Sequence, residues 1–152
     1  MTWDFIRGGL GHFHPALVHF PVALITAGAA LEAWFMLRRR PQPSESARVM
    51  LLLGALGVVA AVASGLALFH PGDFQGRTLD AARIHRYLGI VSLFAILAAS
   101  AVGTLGRGGF APSLGGRLKI YRALLLASGI LIGLTGHYGG WVVFGWGWLW
   151  TP

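Results

Sequence analysis

Four stretches of about 20 mainly apolar residues, roughly Pro15–Leu37, Val49–Phe69, Tyr87–Leu105 and Ile120–Tyr138, limit what this chain can fold into. A run of that length matches the hydrocarbon thickness of a bilayer. Inside lipid its backbone N–H and C=O groups must be satisfied within the segment, which a helix achieves. The connections Arg38–Arg48, His70–Arg86 and Gly106–Lys119 are rich in Pro, Gly, Ser or charge, as solvated loops are. Thr78 and Asp80 read as N-cap residues for the third helix. Short connections favour antiparallel neighbours. The expectation is an all-α fold: a four-helix up-down transmembrane bundle forming a single domain over residues 1–152, without internal repeats.

Composition agrees. Hydrophobic residues make up 55% of the chain and charged residues 11%, whereas a soluble domain carries about 25% charged residues. Lipid must therefore cover this surface. The formal charge of +7 raises the question of nucleic acid. Its basic residues sit in short loops between apolar runs and form no stripe that a duplex could follow, so no nucleic-acid partner is expected. Without cysteine, disulfides, thiolate metal sites and thioether haem attachment are excluded, and a metal or haem would rely on histidine. The opening Met1-Thr2-Trp3-Asp4 lacks a basic n-region and runs into a span too long for a signal-peptide core, so the first helix is expected to be retained.

Orientation follows from lysine and arginine. The first and third loops with their helix ends hold Arg38, Arg39, Arg40, Arg48, Arg107, Arg117, Lys119 and Arg122, against Arg7, Arg77, Arg83 and Arg86 on the other side, eight against four. The first and third loops are thus expected in the cytoplasm of a bacterial cell, with the protein in the inner membrane and both termini periplasmic. Trp34 and Tyr121 would mark the inner interface; Trp3, Tyr87, Tyr138 and Trp141 would mark the outer one.

On that topology all six histidines fall on the outer side. His12, His14 and His19 lie before or in the first turns of helix one, His70 at the end of helix two, His85 at the start of helix three and His137 near the end of helix four. Ionisable residues at membrane depth are costly and usually face the bundle interior or a cavity. Counting by helical spacing, His19 shares a face with Ala23, Thr26, Ala30 and Ala33. His85 shares one with Gly89, Ser92, Ile96, Ala99 and Gly103, and His137 one with Gly133 and Gly129. Helix two has a similar face of Gly57, Ala61 and Gly65, with His70 rotated off it. His19, His85 and His137 are therefore expected to point into one volume. Such stripes are equally ordinary membrane packing, and an interfacial histidine can simply keep its polar tip wet.

Bis-imidazole haem b ligation needs two neutral imidazoles from facing helices, apolar walls, and cations for the propionates. Arg77, Arg83 and Arg86 lie beside His85. Zinc or copper would also accept imidazole, but the nearby carboxylates Asp73 and Asp80 are loop residues, and Met36 and Met50 lie at the opposite end. Pro21, two residues after His19, lacks an N–H and should kink helix one, which could aim His19. Glu32 reads either as part of a proton path for quinone chemistry or as a residue snorkelling toward Arg38–Arg40. The tail Trp141–Trp150, with four tryptophans, reads as an interfacial anchor or a partner-docking segment.

The segment His12-Phe13-His14-Pro15-Ala16-Leu17-Val18-His19-Phe20-Pro21-Val22-Ala23-Leu24 resembles the opening signature of domain of unknown function 2231, a family of small four-helix bacterial membrane proteins. Ala82-Arg83-Ile84-His85-Arg86-Tyr87-Leu88-Gly89 and Gly136-His137-Tyr138-Gly139-Gly140-Trp141 are similar to it as well. The motif histidines map onto His14, His19, His85 and His137. Members are often joined to periplasmic redox modules such as cytochrome c or Rieske domains, so the resemblance implies membrane electron transfer. One departure is Val142-Val143-Phe144-Gly145, where relatives often place a histidine.

The reading is an electron-transfer subunit, not a stand-alone enzyme, binding one or two haems b within a larger membrane complex. It would pass electrons between a periplasmic redox protein, a cytochrome c or a dehydrogenase, and the quinone pool. His19 and His85 are the expected axial iron ligands. His137 and His70 come next, for a second haem, and His14 completes the candidate ligands; Arg83 and Arg86 would hold propionates. The alternative is a cofactor-free membrane anchor or assembly subunit, whose histidines bond each other and backbone carbonyls. A metal-handling transporter would need a polar path across the bilayer, of which Glu32, Thr26 and scattered serines give little.

Overall fold

The computed structural model describes residue 9 and residues 11–104 and 115–145. Trp3, Arg7, Arg107 and the part of the tryptophan tail beyond Gly145 lie outside these residues. Four long helices carry the described chain: α1 His14–Leu37, α2 Glu45–Leu68, α3 Gly76–Thr104 and α4 Gly115–Phe144. A short 3-10 turn, Pro71–Asp73, sits between α2 and α3. All four helices are long and apolar enough to cross a bilayer. Each packs on its neighbours in sequence, and α4 closes the ring against α1, giving the expected up-down bundle.

The helices outrun the apolar segments that betray them. Helix α3 starts eleven residues before Tyr87 (87 − 76 = 11), because hydropathy marks where lipid covers a helix and not where its hydrogen bonding begins. Its early turns bury Ala81 and Ala82 while Arg77, Asp80, Arg83 and Arg86 remain exposed. Thr78 and Asp80 consequently lie inside the helix and do not cap it. Helix α2 begins as its sequence directs: the Ser44 hydroxyl accepts from the Ala47 N–H (3.2 Å), with Glu45 in the first turn. Helix α4 runs on to Phe144 and stops at Gly145, whose φ of +88° gives it the left-handed conformation of a helix-ending glycine.

Ile25, Leu51, Ile96, Ala99, Tyr121 and Leu125 are almost wholly buried between the helices, while Phe20, Leu56, Phe94 and Ile130 lie on the outside. An exterior that apolar belongs in lipid. Glycines set the close helix approaches. A Cβ on Gly54 would lie 2.5 Å from Ile25 Cδ1, one on Gly129 2.8 Å from Ala29 Cβ, and one on Gly103 3.1 Å from the Tyr121 ring. Tyr121 is therefore an interior residue, not the interfacial marker expected of it; Trp34 and Tyr87 are exposed as expected. Helix α1 continues through Pro21, which is buried and packs on Gly57 of α2.

Candidate functional site: two histidines across the bundle

Up-down topology puts the start of α1, the start of α3 and the end of α4 at one end of the bundle, so the histidines do share an end. The pair that meets inside it is His14 and His85. Their ring centroids are 6.2 Å apart and their planes are inclined at 79°.

His14 opens α1 and reaches α2, where its Nδ1 lies 3.0 Å from the Ala61 carbonyl and 3.1 Å from Ser64 Oγ. The Ser64 hydroxyl donates to the same Ala61 carbonyl at 2.9 Å. His85, in the third turn of α3, places Nδ1 2.8 Å from the Thr135 carbonyl of α4. A carbonyl can only accept, so each imidazole donates its Nδ1–H and each Nε2 keeps its lone pair. The rings sit where a side chain is missing: a Cβ on Gly65 would fall 2.8 Å from His14 Cε1, and one on Gly139 3.0 Å from His85 Cε1. Ser92 of α3 meets the Thr135 hydroxyl at 3.1 Å and ties α3 to α4 one layer deeper. Thus His14 is braced by α2, His85 by α4, and the two face each other across the bundle.

The other candidates lie elsewhere. His19 is exposed, with Ala23, Thr26 and Ala30 also on the outer surface of α1. The structure therefore does not bring His19 to His85. The inner face of α1 is Pro21, Ile25, Gly28 and Glu32, and His14 continues it. A helix repeats every 3.6 residues. Glu32 and His14 are 18 residues apart (32 − 14), about five whole turns, whereas His19 is 13 residues from Glu32 and falls on the opposite side. His137 is half-buried on α4, with its ring 4.5 Å from that of Trp141 and 5.8 Å from that of Tyr138; Gly133 of its stripe is exposed. His70 is exposed in the connection after α2, as His12 is before α1. Arg83 is exposed, and Arg86 lays its guanidinium over the Phe69 ring at 4.4 Å. Among the described residues no three His, Cys, Asp or Glu side chains gather as metal ligands.

A second polar cluster occupies the opposite end. Glu32 is fully buried; its Oε1 accepts from Arg122 Nε at 2.8 Å and its Oε2 from the Ser44 N–H at 2.8 Å. Arg122 also donates to the carbonyls of Arg40 (2.9 Å) and Gln42 (3.3 Å). Glu32 is therefore the centre of an α1–α4 ion pair that holds the first loop, and does not snorkel toward Arg38–Arg40. Sequence reasoning missed Arg122 as its partner, although a lone acid and a lone base within apolar spans at the same end are the signal for such a pair. It missed Ser64 and Thr135 too, since hydroxyls are common in membrane helices.

The family described as predicted membrane protein (DUF2231) matches residues 12–151. No curated protein and no solved structure matches the chain.

Proposed function

The chain belongs to the DUF2231 family of membrane proteins, and from that premise we propose a haem b-binding subunit that relays electrons between a periplasmic redox partner and the quinone pool. In this reading His14 and His85 would hold the haem iron. The observation that carries it is the pair's geometry: imidazoles from two helices whose ring centroids are 6.2 Å apart across the bundle, each with Nδ1–H on a backbone carbonyl and, among the described residues, no hydrogen bond on Nε2. A carbonyl on the far ring nitrogen fixes the tautomer and raises the basicity of a ligating histidine. Haem would need two protein ligands, because the macrocycle supplies the others, and His14 and His85 are such a pair.

Bound there, haem would supply one-electron chemistry at iron. The chain's own residues would hold it. Ala61 and Thr135 orient the imidazoles, Gly65 and Gly139 make room for them, and exposed Arg83 would meet a propionate. Arg86, engaged with Phe69, is the secondary candidate. In the proposed setting the protein is a subunit in the bacterial inner membrane with both termini periplasmic, as the distribution of lysine and arginine favours.

The second reading is a cofactor-free anchor. It is favoured by the fact that both imidazoles already have backbone partners and cross-link α1 to α2 and α3 to α4. A reduced-minus-oxidised visible spectrum of protein purified from cells supplied with haem precursor separates the two. The haem reading expects a b-type band that is lost in His14→Ala and His85→Ala and kept in His19→Ala. An unliganded wild-type protein, or a band that depends on His19 instead of His14, overturns the assignment.

A further inference from the structure

The arginine-rich end carries a feature that electron transfer does not use. Where α1 ends, Trp34, Phe35, Arg38, Arg40, Pro41 and Gln42 line an open cleft of about 660 Å³, within the size range of small-ligand sites. We propose that this cleft binds the phosphate headgroup of an anionic phospholipid of the surrounding bilayer.

Charge is the first argument. The two carboxylates at this end are already taken, Glu32 by Arg122 and Glu45 by Arg48, and among the described residues no ion pair engages Arg38, Arg39 or Arg40. Arg38 and Arg40, which line the cleft, and Arg39 between them in sequence thus carry charge that no carboxylate among the described residues meets. Arg38 is held over the Trp34 ring at 4.5 Å, which orders its planar donor fork without consuming its N–H groups. A phosphate monoanion matches that fork.

The helix terminus does not oppose an anion as a bare C-terminus would. Arg38 N–H donates to the Trp34 carbonyl (3.0 Å), Arg39 N–H to that of Met36 (2.9 Å) and Arg40 N–H to that of Phe35 (3.0 Å). This is a Schellman closure, and its left-handed position, usually glycine, is Arg39 with φ +52°. The chain keeps a cation where glycine would be more comfortable.

Position is the remaining argument. Trp34 and Leu37 are 52% and 77% exposed, so apolar surface for acyl chains borders the basic cleft, as at the edge of a bilayer. Anionic headgroups attract arginines near the surface by about 1 kcal/mol each.

The test titrates the full-length protein in neutral detergent with phosphatidylglycerol or phosphatidylcholine and reads bound lipid by native mass spectrometry. Phosphatidylglycerol is expected to bind in preference to phosphatidylcholine. Its affinity should fall about 5-fold in Arg38→Gln and about 30-fold in Arg38→Gln/Arg40→Gln, while the melting temperature stays at the wild-type value. Arg77→Gln, at the opposite end, should leave binding unchanged. Equal retention of both lipids, an undiminished affinity in both variants, or displacement by inorganic phosphate at matching concentration overturns the proposal.

Discussion

The side chain under most constraint in the bundle is Glu32. A buried carboxylate in a membrane protein is tolerable only when its charge is met, and Glu32 has Arg122 on one oxygen and a backbone N–H on the other. Removing one member of such a pair leaves an uncompensated buried charge, which typically costs about 3–5 kcal/mol. Arg122→Met should therefore lower the thermal midpoint in detergent sharply. The double variant Glu32→Leu/Arg122→Met should recover part of that loss, because two apolar residues leave no orphan charge. Recovery would be incomplete, since the carbonyls of Arg40 and Gln42 also lose their donor. A double variant no more stable than the single one would show that the pair's role is not electrostatic. Glu32 also shows what a closer reading of the sequence could have found. Counting whole turns back from the one acid inside the first span leads to His14, not to His19.

At the scale of helices, the existence and order of α1 to α4 were legible because about 20 apolar residues in a row have few other fates. The direction each helix faces was legible only in part. The stripe from His85 through Ser92, Ile96, Ala99 and Gly103 does face inward, whereas Ala23, Thr26 and Ala30 of α1 face out. Lipid is as apolar as the core, so apolar periodicity carries little phase, and small residues occur on both sides. What distinguishes an inward glycine is what it touches. Gly129 approaches Ala29, and an added Cβ would sit 2.8 Å from Ala29 Cβ, an atom that cannot rotate away. Gly129→Ala should force α1 and α4 apart at a cost of about 1–3 kcal/mol. Gly136, in the same helix, has open space where its Cβ would be, so Gly136→Ala should be neutral or stabilising by up to about 1 kcal/mol. Equal melting temperatures for the two variants would mean that the α1–α4 seam is not the close contact described.

Across the whole molecule, polar chemistry sits in two layers at opposite ends. Between His14–His85 and Glu32–Arg122 lie Ile25, Ala55, Val58, Ile96 and Ile132, all buried. Ser128, between the layers, turns its hydroxyl back onto the Leu124 carbonyl at 2.8 Å. Among the described residues no continuous polar path joins the layers, and electrons need no such path. The asymmetry makes sidedness decisive, because the proposed partner must meet the histidine end and the proposed anionic lipid the arginine end. Lysine and arginine favour the arginine end in the cytoplasm, since positively charged short loops resist translocation. The chain contains no cysteine, so single cysteines can report sidedness without further substitutions. Asp73 lies in the connection at the histidine end, and Ser46 lies exposed in the first turn of α2 at the other. A membrane-impermeant maleimide added to spheroplasts should label Asp73→Cys at once and Ser46→Cys only after lysis. The reverse pattern would put His14 and His85 under the cytoplasmic leaflet, out of reach of a periplasmic donor, and the relay would have to draw its electrons from the cytoplasm.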